Sequence, residues 1–241
     1  MNELLEQVVA AYGGLDRWEK LTSVRARVRA GGLLWPMKRQ MGVLDDVITR
    51  IDPHRQFTTT EPFGEPGLRG SFTPDRVAVE TDAGEMVEER FHPRAAYAGH
   101  RLDTPWDRLH VAYFNGYAMW TYLTEPFSLA GPGFEVTELE PWQEDGETWR
   151  RLRVVFPGDV DTHSKENVYY VDAGLRIRRH DYVAEVAGTD ATGAAHYASD
   201  FQESGGFLVP ARRRVHPVGP GGRPMLDTVL VSIDLSDIRF E

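Results

Sequence analysis

The sequence predicts a mainly β protein with added helices: one large, curved antiparallel sheet wrapped on a buried aromatic helix. Three observations carry this. From Val24 the apolar residues alternate, Val24, Ala26, Val28 and Ala30 against Arg25, Arg27 and Arg29, the two-residue period of a strand with one buried face. Turn chemistry recurs between such runs, in Asp52-Pro53, Gly64-Glu-Pro-Gly67, Thr73-Pro-Asp75 and Asp82-Ala-Gly84, which reads as an antiparallel meander and not as βαβ units. The stretch from Leu109 to Thr124 has no Asp, Glu, Lys or Arg, and a helix without a charged face is a buried helix.

Taken in order, Asn2 caps a first helix whose Leu4, Leu5, Val8, Val9 and Tyr12 make one apolar stripe, and Gly13-Gly14 stops it. Leu15 to Leu21 continues as a second short helix, and residues 1–22 are expected to pack over an open end of the sheet. After the Val24 strand, further strands are expected at Gln40–Ile51, Arg55–Glu61, Arg69–Phe72, Arg76–Thr81 and Glu85–Phe91, then an irregular stretch from His92 to Thr104. The internal helix covers 105–125. It begins at Pro105 or Trp106, where proline's missing N–H is harmless, and stops at Pro126 and Gly131-Pro-Gly133. Leu109, Ala112, Tyr113, Gly116, Met119, Trp120 and Leu123 recur at helical spacing along it. Strands follow at Phe134–Gln143, Thr148–Phe156, Glu166–Val171, Leu175–Ala187, Ala194–Glu203, Phe207–Pro217 and Leu226–Phe240, with hairpin turns at Asp172-Ala-Gly174, Ser204-Gly-Gly206 and Gly219-Pro-Gly-Gly222. A sheet of about twelve strands has to curl or close.

The chain of 241 residues is expected to fold as a single domain, 1–241. A net charge of −10 argues against nucleic acid and anionic membrane as partners, since both call for a cationic surface. The absence of cysteine removes disulfides, thiolate chemistry and cysteine-ligated metals. The internal helix is too short and too rich in His, Asn and Gly for a membrane span. Met1–Ala10 carries two acidic residues and no basic region, so no secretory signal is expected and the cytoplasm is the expected location.

Pairing Leu175–Ala187 with Ala194–Glu203 through a turn at 188–193 sets Tyr182 opposite Ser199, His180 opposite Phe201 and Ala184 opposite Tyr197. One face then holds Tyr170, Arg178, His180, Tyr182, Tyr197, Ser199, Phe201 and Arg213. The other holds Arg179, Asp181, Glu185, His196, Asp200, Gln202, Arg212 and Arg214. A slip of one residue would exchange the faces. The aromatic face is expected to be concave and to meet the helix. The site then comprises His180 and Tyr182 as acid–base groups, with His110, Tyr113, Tyr117, Trp120, Arg178, Tyr197 and Ser199 holding the ligand. The competing account is a cross-strand ladder that only stabilises the sheet. Asp159, Asp161 and His163 are closely spaced in a loop, but their spacing matches no established cation site, and no metal is expected. His163 could instead reach the mouth of the pocket.

The Ala11-Tyr-Gly-Gly-Leu-Asp-Arg-Trp18 opening and the closing meander from Val168 to Phe240 give a layout similar to the lipoprotein-carrier fold of LolA, LolB and LppX type. Thr162-His-Ser164, Arg179-His-Asp-Tyr182 and Val209-Pro-Ala-Arg-Arg-Arg-Val215 resemble runs in soluble bacterial proteins of that group. The resemblance implies an antiparallel half-barrel of eleven or twelve strands, N-terminal helices and an internal helix plugging the concave face. It further implies either a carrier of a lipid-like ligand or a cofactor-independent enzyme, since a violacein-pathway enzyme is built on the same fold.

The sequence thus favours a cytoplasmic enzyme without cofactor, a cyclase or isomerase of natural-product type acting on a hydrophobic or aromatic small molecule. The alternatives are a non-catalytic carrier and an interaction module with a filled core. A homodimer is left open.

Overall fold

The computed structural model describes residues 1–219 and 222–241. The first half of the chain supplies β1 (Val24–Gly31), β2 (Val47–Ile51), β3 (Thr58–Glu61), β4 (Leu68–Thr73), β5 (Arg76–Thr81) and β6 (Met86–Phe91). The second supplies β7 (Glu135–Glu144), β8 (Glu147–Val155), β9 (Glu166–Val171), β10 (Ile177–Val183), β11 (Gly193–Ser204), β12 (Phe207–Pro217) and β13 (Val231–Phe240). Among the described residues these thirteen strands make one sheet, ordered β6-β5-β4-β3-β2-β1-β13-β12-β11-β10-β9-β8-β7, every pair antiparallel. Two meanders are therefore fused where β1 pairs with β13, and β6 and β7 remain unpaired edges of an open, curved sheet.

This topology explains the internal helix. The chain leaves the first meander at one edge, β6, and enters the second at the other, β7, so the connection must cross the sheet. It does so as α4, Arg108–Thr124, whose 17 residues span about 25 Å. Every residue from Leu109 to Thr124 is buried, as its uncharged composition requires. The helix starts later than Pro105 or Trp106 because Asp107 is the better cap. Its carboxylate accepts the His110 N–H at 2.9 Å, while the His110 Nδ1 accepts the Asp107 N–H at 3.2 Å.

α4 lies against β2 to β5. Thr58 Oγ1 donates to the Gly116 carbonyl at 2.9 Å, and Asn115 Nδ2 to Thr60 Oγ1 at 3.0 Å. Gly116 is where helix and sheet come closest: a Cβ there would sit 2.3 Å from Phe72 Cβ. Two short helices, α1 (Glu3–Ala11) and α2 (Leu15–Trp18), cover part of the second meander. Tyr12 Oη accepts the Ile177 N–H at 2.9 Å, and Trp18 stacks on Phe127 with centroids 4.3 Å apart.

Several boundaries differ from the sequence expectation. The strand expected at Gln40–Ile51 begins only at Val47, and α3 (Leu34–Met37) with its following loop precedes it. β3 starts at Thr58, and β13 at Val231 instead of Leu226. The hairpin turn expected at Gly219–Gly222 includes Pro220 and Gly221, which lie outside the described residues. No helix among the described residues is long and apolar enough to cross a membrane.

The largest departure is the β10–β11 register. Tyr182 pairs with Ala194 and His180 with His196, not with Ser199 and Phe201. β10 ends at Val183, and the connection to β11 is long, opening with a 3₁₀ turn at Glu185–Ala187. The displacement is odd in residues, so β11 turns its other face inward. His196, expected outside, faces α4. Tyr197 and Ser199, expected inside, lie on the outer face. A bulge between Ile177 and Arg179 shifts β9 as well, pairing Tyr170 with Arg179 on that outer face.

Candidate ligand-binding cleft

Because α4 sits over β2 to β5, the concavity over β11 to β13 is incompletely filled. A cavity of about 120 Å³ opens there between Phe114 of α4, Leu34 and Met37 of α3, Ala184 and Ala187 of the β10–β11 connection, and Ala194, Val215 and Val231 of the sheet. A smaller space of about 20 Å³ continues inward past Tyr122, Asn115 and Met119. Phe114, Tyr182, Val215 and Val231 border both, so the two are compartments of one cleft. Its lining is almost wholly apolar.

The rim is held by Lys38, which is fully buried. Its Nζ donates to the carbonyls of Ala187 at 2.5 Å and Arg101 at 3.0 Å, tying the α3 loop to two other rim segments. Gly188 allows those segments to touch, since a Cβ there would lie 2.4 Å from the Leu102 nitrogen.

At the inner end Tyr182 enters a buried polar chain. Tyr182 Oη lies 3.3 Å from Tyr122 Oη, Tyr122 Oη 2.7 Å from His163 Nε2, and Tyr117 Oη 3.1 Å from His163 Nδ1. The imidazole stacks flat on Tyr182, centroids 4.1 Å apart. Burial, with the nearby Arg94 charge adding, pushes His163 down to about 3, so the ring is neutral.

Behind these tyrosines is a second polar group. Glu125 Oε1 accepts the Tyr169 hydroxyl at 2.7 Å and lies 3.7 Å from His180 Nδ1. Arg213, 4.0 Å from Glu125, donates to the Tyr122 carbonyl at 2.8 Å with its guanidinium over the Tyr122 ring. Burial raises Glu125 to about 7, and Arg213, too distant for a hydrogen bond, offsets only part of that. His180 and His196 are held well below the usual histidine range by the same desolvation. Asn167 gives its N–H to the Ser164 carbonyl, so its Oδ1 accepts from His180 Nε2 at 3.0 Å. That tautomer leaves His180 Nδ1 a lone pair, and Nδ1 is unbonded.

Of the residues expected to form the site, Tyr182 borders the cleft, Tyr117 belongs to the chain behind it, and His180 is buried one layer deeper. The others are dispersed. His110 caps α4, and Tyr113 accepts from Arg94 at 3.3 Å. Trp120 donates to the Asp52 carbonyl at 2.9 Å. Arg178 reaches Asp172 at 3.3 Å over the Trp149 ring. Ser199 is partly exposed on the outer face, and Tyr197 donates there to Glu144. Arg179, expected in solvent, is fully buried on that outer face. It donates to Asp181 through two nitrogens, at 2.7 and 2.8 Å, and to Glu144 at 3.0 Å, beneath Tyr170 and Tyr197. His163, offered by the sequence as a loop residue able to reach the pocket mouth, instead joins the tyrosine chain at the inner end. Phe114, Val215 and Ala194 read in the sequence as plain helix and strand residues and not as cleft walls, because aliphatic and aromatic core residues carry no chemical signature. Among the described residues no three His, Asp or Glu side chains gather as metal ligands would.

No protein-family model matches the chain, and no curated protein is similar to it in sequence. Its fold is similar to that of a DUF1329 family protein from Desulfovibrio piger, with a TM-score of 0.55 and 11% identity over 100% of this chain and 94% of that one. A LolA superfamily protein from Nitrosomonas europaea superposes with a TM-score of 0.53 and 11% identity, over 98% of this chain and 92% of that one. A domain from Vibrio parahaemolyticus, named for outer-membrane lipoprotein sorting, gives 0.56 and 10% identity over 99% and 91%. The chain thus has a LolA-like fold: an open, curved antiparallel sheet with a helix in its concavity.

Proposed function

We propose that this protein is a binding or carrier protein for a hydrophobic, lipid-like small molecule that lodges between α4 and strands β10 to β13. One observation carries the reading: the apolar cleft, which α4 leaves open by packing on the other half of the sheet. A cleft of this lining gains free energy by removing an apolar surface from water, roughly 25 cal/mol for each Å². The similarity in fold to a domain named for outer-membrane lipoprotein sorting is in keeping with an apolar cargo.

The test is binding of the uncharged dye Nile red, together with mass spectrometry of organic extracts from the purified protein. Native protein is expected to bind the dye with a blue shift. Ala194→Trp, which places an indole in the cavity, is expected to abolish binding while the fold persists by circular dichroism. Absence of dye binding and of any extractable ligand, or full binding by Ala194→Trp, would overturn the reading.

A cofactor-independent isomerase or cyclase is the second reading. It is favoured by one feature: Tyr182, a phenol at the cleft, is linked through Tyr122 to a neutral imidazole that can relay a proton. Burial raises the Tyr182 hydroxyl, which suits a proton donor and not a base. Conversion of an extracted ligand by native protein, lost in Tyr182→Phe with binding retained, would decide for it.

A further inference from the structure

The binding reading leaves the ligand's polar end unspecified, and the residues around the cleft restrict it. Among the described residues lining either compartment there is no Asp, Glu, Lys, Arg or His. The polar side chains at the inner end are Asn115, Tyr122 and Tyr182. Of the buried cations around it, Lys38 spends its ammonium on the rim carbonyls of Ala187 and Arg101, and Arg213 stands behind the Tyr122 ring and faces the Tyr122 carbonyl and Glu125. An ionised head group brought to the inner end would lose its hydration and meet no counter-charge, which costs several kcal/mol.

The chain of tyrosines does have something to offer an uncharged oxygen. Three phenol hydroxyls and a neutral imidazole carry four hydrogens, and three hydrogen bonds join them: Tyr117 to His163, His163 to Tyr122, and Tyr122 to Tyr182. One hydrogen is left over. When Tyr117 donates to His163 Nδ1, the Nε2–H donates to Tyr122, Tyr122 donates on to Tyr182, and the spare hydrogen is on the Tyr182 hydroxyl. In the reverse orientation Tyr182 donates inward and keeps an oxygen lone pair free. The terminal phenol can therefore donate to a carbonyl or ether oxygen, or exchange hydrogen bonds with a hydroxyl. Asn115, whose N–H₂ is engaged with Thr60, adds a carbonyl acceptor at the same end.

We propose that the cleft takes an uncharged amphiphile, an apolar chain ending in a hydroxyl or carbonyl oxygen, entering oxygen first so that this oxygen meets the Tyr182 hydroxyl. The inference rests on the binding reading above and assigns its substrate class. It separates long-chain alcohols, ketones and neutral esters from fatty-acid anions of the same length. Tyr182 is then the residue that selects the head group, and the apolar walls around Phe114 and Val215 hold the chain.

The experiment compares three probes by competition with Nile red at about pH 8, where a free carboxylic acid is ionised: myristyl alcohol, myristate and tetradecane. Myristyl alcohol is expected to bind at least ~10-fold more tightly than myristate, a lower bound on the desolvation difference. Tyr182→Phe is expected to weaken the alcohol ~5- to 10-fold, the worth of one buried hydrogen bond, and to leave tetradecane unchanged. Met119→Leu, which alters the lining without a polar group, keeps the preference. Myristate binding as tightly as the alcohol, or an alcohol affinity unmoved by Tyr182→Phe, would overturn the inference while leaving the binding reading intact. If none of the three probes displaces the bound dye, the inference is overturned, while the binding reading still stands or falls on the dye and on the Ala194→Trp variant.

Discussion

Tyr122 and His163 share a 2.7 Å hydrogen bond that neither the helix nor the sheet dictates, since His163 comes from the loop between β8 and β9. The bond fixes a buried, neutral imidazole, and His180 and His196, buried behind it, are held neutral by the same desolvation. In the unfolded chain each would titrate near 6.5. Below that value the unfolded state takes up protons that the native state refuses. Stability is therefore intact above about pH 6.5 and falls as pH drops toward the folded value of about 3 for His163. Each displaced histidine contributes up to about 1.4 kcal/mol per pH unit. His196 makes the best probe, because both its ring nitrogens lack partners. His196→Phe removes a desolvated polar ring without breaking a hydrogen bond. Urea denaturation is expected to find it at least as stable as native at pH 7 and less sensitive to acid. A variant with the native acid slope would contradict this.

Glu125 has the opposite linkage. Its folded value of about 7 lies above the ordinary 4.5, so the native state holds a proton that the unfolded chain releases. The stabilisation is present below about 4.5 and is lost as pH rises through about 7. Glu125→Gln keeps an acceptor for Tyr169 and cannot ionise. It should be more stable than native at pH 8, by roughly 1–3 kcal/mol, and indistinguishable near pH 4. Denaturant midpoints at the two pH values measure the difference. Loss of stability at both would mean that the carboxylate form, paired to Arg213, holds the core together.

Gly116 predicts a steric effect. Its missing Cβ would stand 2.3 Å from Phe72, so Gly116→Ala must push α4 off β4 or distort Phe72. Over-packing of this kind costs about 1–3 kcal/mol. In a thermal melt, Gly116→Ala/Phe72→Gly, which removes the Cβ and Cγ that the new methyl would meet, should be more stable than the sum of the two single changes. If the double variant is less stable than the sum of the single changes, the close approach is not the cause.

The fold class was legible because it rests on periodicity. Val24, Ala26 and Val28 are buried and Arg25, Arg27 and Arg29 lie outside, as their alternation requires, and the uncharged helix is buried on every side. The site was less legible because it depends on register. What sets the β10–β11 register is a long connection docked on distant chain: Thr189 N–H bonds to the His100 carbonyl, and Gly188 abuts Leu102. No local pattern in 184–192 announces those partners. With β11 inverted, Arg179, Tyr170 and Tyr197 close an ion and aromatic cluster on the outer face, and His196 goes inside. One cue was present: Ala184, Ala187, Ala191 and Ala194 are small residues in an otherwise bulky meander, and all four border the cleft.

Lys38 connects that docking to binding. It is fully buried, and its ammonium bridges the carbonyls of Ala187 and Arg101 while its own carbonyl accepts the Trp106 N–H at 2.9 Å. Three rim segments therefore meet at one side chain. Lys38→Met keeps the aliphatic length and removes both donors, leaving two buried carbonyls without that partner, at about 1–3 kcal/mol each if water cannot reach them. The loss should be local, because β1 and β13 pair with each other and with β2 and β12, not with the rim segments. Hydrogen exchange at Thr189, whose N–H bonds across the rim to His100, is expected to quicken ~10-fold or more for every ~1.4 kcal/mol of lost closure. Exchange on β1 and β13 should stay at the native rate, and Nile red should leave the cleft faster. Unchanged protection at Thr189 would mean that the backbone contact at Gly188, and not the lysine, holds the rim shut.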